Sequence, residues 1–128
     1  MRIALDTNRY TDLCRGSREV IRVLEDAEAV FLPFAVLAEL RAGFAVGRHG
    51  RANERVLQQF LSKPGVAPLF PNDDTTRTYA TLYRQLRRQG TPIPTNDIWI
   101  AALVVQNDLA FYTRDEHFEH LPQLHILR

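Results

Sequence analysis

The chain has 128 residues, 45% hydrophobic and 24% charged, with a net charge of +1. These values fit one ordinary globular domain with a real core and exclude a generic polyanion binder. No apolar run approaches the ~20 residues that cross a bilayer, and the single cysteine, Cys14, rules out an intrachain disulfide and fits a reducing cytoplasm.

The N-terminus carries Arg2, a short apolar run and then Asp6, a pattern unlike a signal peptide. Residues 2–6 read as a strand, and Thr7 to Arg15 as a short helix stopped by Gly16. Ser17 is placed to cap a helix reaching about Ala27, with Val20, Ile21, Val23 and Leu24 at helical spacing. Val30 to Leu32 reads as a strand, and Pro33 fits the first turn of the next helix, which extends to about Val46. Gly43 within it suggests close packing. After a break at Gly47 to Gly50, Ala52 to Ser62 is amphipathic, with Val56, Leu57, Phe60 and Leu61 expected inward.

Val66 to Phe70 is the next expected strand. A long helix follows, capped by Asp73 or Asp74 and ended by Gly90, with Tyr79, Leu82, Tyr83 and Leu86 along a core or dimer-facing stripe. Arg84, Arg87 and Arg88 on this helix read as a solvated face, with phosphate contact as the alternative. Thr95 or Asn96 caps a helix that ends near Asn107 and Asp108. Leu109 to Tyr112 and Leu124 to Leu127 read as the last two strands, the final one at an edge. Short strands alternating with helices predict a mainly parallel sheet flanked by helices. Lys63 is the only lysine; the arginine-rich balance of positive charge reads as a bias of composition.

Four acids stand out on this framework: Asp6, Glu39, Asp97 and Asp115. Asp6 and Asp115 follow apolar strands, and ligands bind such sheets beyond the carboxyl ends of the strands. Asp97 opens an apolar helix, and Glu39 interrupts one. Asp6, Asp97 and Asp115 each have a capping role available to them. Glu39 has none; an ion pair with Arg41 or plain exposure is its alternative. Carboxylates beside a core are costly unless neutralised, and a hard divalent cation is the usual remedy when several converge.

The segments Leu5-Asp6-Thr7-Asn8, Ala38-Glu39-Leu40-Arg41-Ala42-Gly43, Asn96-Asp97-Ile98-Trp99-Ile100-Ala101-Ala102 and Thr113-Arg114-Asp115-Glu116-His117-Phe118 resemble the four motifs of the PIN-domain nucleases, in particular the VapC-type toxins of bacterial toxin–antitoxin pairs. Order, spacing and length all agree, so the resemblance covers essentially the whole chain as a single PIN domain, residues 1–128. The Asp115 position is often Asn in these toxins, so the acidic set here is the fuller one.

The resemblance implies a three-layer α/β/α sandwich with a mainly parallel central sheet. It implies a cytoplasmic endoribonuclease that hydrolyses RNA phosphodiesters with one or two Mg²⁺ ions, Mn²⁺ being the alternative. Asp6 and Asp97 are then the expected direct metal ligands, with Glu39 and Asp115 acting directly or through water. Thr7, Asn96 and Thr113 are expected to hydrogen-bond the ligands from behind, and Arg9 and Arg114 to contact the substrate phosphate or to pair with the acids. The implied partners are a cognate antitoxin, an RNA substrate such as tRNA, and a second copy in a homodimer; no membrane is implied. Trp99 is expected to pack beneath or beside the site.

His117, His120 and His125 do not read as a zinc centre, because a structural site takes four N or S ligands and Cys14 is the only cysteine; the resemblance assigns the histidine before Phe118 no metal role. Two other functions fit the residues less well. A Mg²⁺-binding receiver domain needs paired acids after its first strand and a lysine after a late one, and Asp6-Thr7-Asn8 with Lys63 alone does not supply them. A catalytically silent PIN-like binding protein is opposed by the complete acid set.

Overall fold

The computed structural model describes residues 1–128. The element order is β1 (Arg2–Leu5), α1 (Thr7–Cys14), α2 (Arg18–Asp26), β2 (Ala29–Pro33), α3 (Phe34–Val46), α4 (Gly50–Leu61), β3 (Val66–Leu69), α5 (Asp73–Gln89), α6 (Thr95–Gln106), β4 (Ala110–Tyr112), a 3-10 turn (Glu116–His120) and β5 (His125–Leu127). The strands form one sheet in the order β3-β2-β1-β4-β5, and every pairing is parallel. With helices on both faces, this is the expected three-layer α/β/α sandwich, with β5 at an edge.

The central strand explains itself. Ile3, Ala4 and Leu5 are all buried, as a parallel strand covered on both faces requires. Leu5 registers with Tyr112 of β4, and Ala4 with Phe31 of β2. Asp6 and Thr113, each directly following its strand, therefore emerge side by side at the same rim.

Several helix starts differ from the sequence expectation. Pro33 is the last residue of β2 and the cap of α3, with ψ at 146°, rather than a first-turn residue. Pro94 likewise caps α6, where Thr95 or Asn96 was expected. Proline disfavours the helical region for the residue before it and cannot donate a hydrogen bond, so it suits the junction itself. Asn72, not Asp73 or Asp74, caps α5, through a reciprocal pair of bonds with Thr75. Ser17 and Gly90 act as expected: Ser17 accepts from the Val20 amide, and Gly90 closes α5 at φ 73°.

Two packing expectations are corrected. Val56 lies outward and exposed, leaving Leu57 and Phe60 as the buried face of α4. Gly43 faces open space, whereas a Cβ at Gly50 would sit 2.4 Å from the Phe44 carbonyl oxygen. Gly50 is therefore the residue that lets α4 start against the end of α3.

Candidate active site

Asp6 is 5% exposed. It caps α1 by accepting the Thr7 amide on Oδ1 at 2.8 Å. Its other oxygen, Oδ2, accepts the Thr113 hydroxyl at 2.6 Å and the Asn8 amide at 3.3 Å. The helix-capping role and a ligand role are thus compatible, because the carboxylate presents two oxygens. Glu39, in the second turn of α3, accepts the Thr7 hydroxyl on Oε2 at 2.6 Å. Thr7 consequently ties two of the four acids together, its amide to one and its hydroxyl to the other. Arg41 is bidentate to Glu54 instead of pairing with Glu39.

Asp97 is 9% exposed, in the first turn of α6. Its Oδ2 lies 3.0 Å from Nδ1 of His117, and the same nitrogen is 3.4 Å from Oδ1 of Asp115. Asp115 caps the 3-10 turn by accepting the His117 amide at 2.9 Å. Its own amide donates to the Thr113 hydroxyl oxygen at 2.9 Å. Thr113, fully buried, therefore links the Asp6 carboxylate to the backbone that carries Asp115.

No basic side chain pairs with Asp6 or Glu39; the arginines of this region go to Asp12 and Glu54. The electrostatic result is visible in Asp6. Burial pushes its carboxyl up to about 6, against the lowering effect of the Thr113 and Thr7 hydrogen bonds, and the charges of Glu39 and Asp97 push the same way. Asp97 is also raised, first by burial, with the charges of Asp115 and Glu39 adding and the His117 contact opposing. Both shifts come first from burial, with the neighbouring carboxylates adding to it. Among these groups, Asp97, Asp115 and His117 bring ligand atoms within 4.8 Å of one another, a cluster able to hold a divalent cation.

Other expected site residues fall differently. Asn96 is exposed and hydrogen-bonds none of the acids; Asn8 does that work instead, bridging Asp6, Thr113 and the Arg114 amide. Arg9 is buried, 3.2 Å from Asp12 with its guanidinium over the Tyr112 ring at 4.5 Å, so it does not reach for a phosphate. Arg114 is half exposed and bidentate to the same Asp12. Trp99 packs on Tyr79 and Phe34, at 4.3 and 5.9 Å between ring centroids. Arg84, Arg87 and Arg88 are exposed on α5. From sequence, Asn8 is given no role and His117 no metal role, although both lie inside motif segments, each two residues beyond a motif acid.

A parallel α/β/α sandwich with four carboxylates gathered at the carboxyl rim of its central strands defines the class. Residues 3–124 match the PIN domain model, and the chain belongs to the PIN-domain family. It is 35% identical to the plasmid stability protein StbB of Pseudomonas syringae pv. tomato, over 88% of this chain and 87% of that protein. It is 30% identical to ribonuclease VapC5 of Mycobacterium tuberculosis, over 78% of this chain and 76% of the relative. Among solved structures, VapBC2 from Rickettsia felis, bound to a DNA fragment from its promoter, superposes with a TM-score of 0.87 at 23% identity, covering 99% of this chain and 98% of the other.

Proposed function

We propose that this chain is a metal-dependent endoribonuclease and the toxin of a type II toxin–antitoxin pair, with Asp6, Glu39, Asp97 and Asp115 as its catalytic carboxylates. The observation that carries the proposal is the gathering of these acids from four separate elements: Thr7 joins Asp6 to Glu39, Thr113 joins Asp6 to the Asp115 segment, and Asp97 and Asp115 face each other across His117, with no arginine to neutralise Asp6 or Glu39. The ribonuclease names of the relatives and the toxin–antitoxin complexes among the structural neighbours support the activity class and the partner.

Asp6 and Asp97 would hold Mg²⁺ or Mn²⁺, with Glu39 and Asp115 completing the set. The ion supplies charge stabilisation at the scissile phosphate and a more acidic bound water. Thr7 holds Asp6 and Glu39 in fixed relation, so neither carboxylate must reorganise when the phosphate arrives. Thr113 does the same between Asp6 and the Asp115 segment. Glu39 is the acid best placed to accept a proton, since it is partly open and one oxygen alone is engaged by Thr7. A cognate antitoxin is the proposed partner, the free cytoplasmic toxin acts on structured RNA such as tRNA, and two copies pair within the complex.

The purified free chain should cleave RNA with Mg²⁺ or Mn²⁺ and stop on chelation. Asp6→Asn and Asp97→Asn should each be inactive while remaining folded by circular dichroism. Full activity in both variants would overturn the assignment.

A further inference from the structure

We propose that His117 is a nitrogen donor to the metal ion held by the carboxylates, and that it biases the site toward Mn²⁺ over Mg²⁺. This rests on the metal-dependent nuclease reading above and extends it to a residue outside the acidic set.

The geometry is that of a mixed ligand cluster. Nδ1 of His117 and carboxylate oxygens of Asp97 and Asp115 all lie within 4.8 Å of one another. The nitrogen is 3.0 Å from Asp97 Oδ2 and 3.4 Å from Asp115 Oδ1. Adjacent ligands of an octahedral ion with bonds of about 2.1 Å are about 3 Å apart, so these separations match ligand edges. The three groups come from different places: the first turn of α6, the residue capping the 3-10 turn, and that turn itself.

Hydrogen bonding alone leaves part of the arrangement unexplained. Nδ1 carries at most one proton and can donate it to one carboxylate, yet it faces two. Asp115 Oδ1 accepts the His117 backbone amide at 2.9 Å, while the imidazole nitrogen stands off from it at 3.4 Å without a hydrogen bond. A cation shared by all three groups satisfies them together. The imidazole is half exposed, which leaves the approach from solvent open. His49, His120 and His125 are exposed and lie outside the cluster, so His117 is the one histidine in position. Imidazole suits transition ions, while Mg²⁺ keeps to oxygen ligands.

The test uses the full chain freed of metal and titrated with Mn²⁺ alone or Mg²⁺ alone. Wild-type protein with Mn²⁺ should show nitrogen coupling from a coordinated imidazole in pulsed electron paramagnetic resonance. His117→Ala and His117→Gln should both abolish it. In calorimetry both variants should lose Mn²⁺ affinity by about tenfold or more, with Mg²⁺ affinity changing by less than about threefold. His117→Gln keeps an amide able to hydrogen-bond Asp97, so it separates ligation from simple orientation. Bound Mn²⁺ without nitrogen coupling, retained Mn²⁺ affinity in His117→Gln, or equal loss of both ions would overturn the proposal. In those cases RNA cleavage that still depends on metal leaves the nuclease reading standing. Failure of wild-type protein to bind either ion would overturn both.

Discussion

Thr113 donates its hydroxyl to Asp6 Oδ2 at 2.6 Å, joining two residues 107 positions apart at the ends of adjacent parallel strands. The Thr113 hydroxyl oxygen in turn accepts the Asp115 amide. A single buried hydroxyl therefore sets the position of one carboxylate directly and of another through its backbone. Thr113→Val removes both bonds and leaves the side chain's volume nearly unchanged. The variant should lose about 1.5–3 kcal/mol of stability at neutral pH, as for a hydrogen bond to a charged group. Its kcat should fall about 10–100-fold, the usual effect of losing a partner that orients a metal ligand. Urea denaturation and RNA-cleavage assays on the same preparation check both figures. Unchanged turnover would show that the Asp6 position does not depend on this bond.

Asp6 also predicts how the metal-free fold responds to pH. Its carboxyl is pushed up to about 6 in the folded state, from an ordinary value of 3.8. The folded chain therefore binds this proton more tightly than the unfolded chain. Stability contributed by the group is present below about pH 4 and is lost as pH rises through about 6, and the raised Asp97 acts in the same direction. The gap at Asp6 corresponds to about 3 kcal/mol as an upper figure. In a chelator, urea midpoints should fall between pH 5 and pH 7. Asp6→Asn should flatten that fall and raise the midpoint at pH 7 above wild type. A saturating divalent cation should restore wild-type stability at pH 7. A midpoint that is flat across this range in chelator would count against an uncompensated Asp6.

The sandwich and the order of its strands' surroundings were legible because buried parallel strands and amphipathic helices write themselves as apolar runs and 3.6-residue periods. Asp6 and Asp115 were legible for the same reason, Asp6 directly after such a strand and Asp115 three residues beyond one. The cap positions were less so. Pro33 and Pro94 each sit at a junction, and proline's fixed φ fits both a first-turn residue and a cap. Glu39's environment depends on how α3 lies against α1, where Thr7 meets it, and no local pattern encodes that crossing. Arg9 looked available for phosphate because arginine is usually exposed. Its burial follows from the Tyr112 ring and Asp12, one of them 103 residues away in the chain and the other hidden in the same short helix.

Charge compensation beneath the site should follow burial rather than the number of ion pairs. Asp12 receives both Arg9 and Arg114. Arg9 is buried, so removing its partner leaves a guanidinium with little water to replace the lost carboxylate. Its Nε already lacks a partner, which sharpens the dependence on Asp12. Asp12→Ala should therefore destabilise the fold by about 3–5 kcal/mol. It should also loosen Arg114 and, through the chain, the neighbouring Asp115. Glu54→Ala breaks a pair of comparable length, but Arg41 and Glu54 both lie in solvent, and that change should cost no more than about 1 kcal/mol. Denaturation of the two variants side by side compares a partly buried pair with an exposed one. Similar losses in both would show that Arg9 finds other solvation once Asp12 is gone.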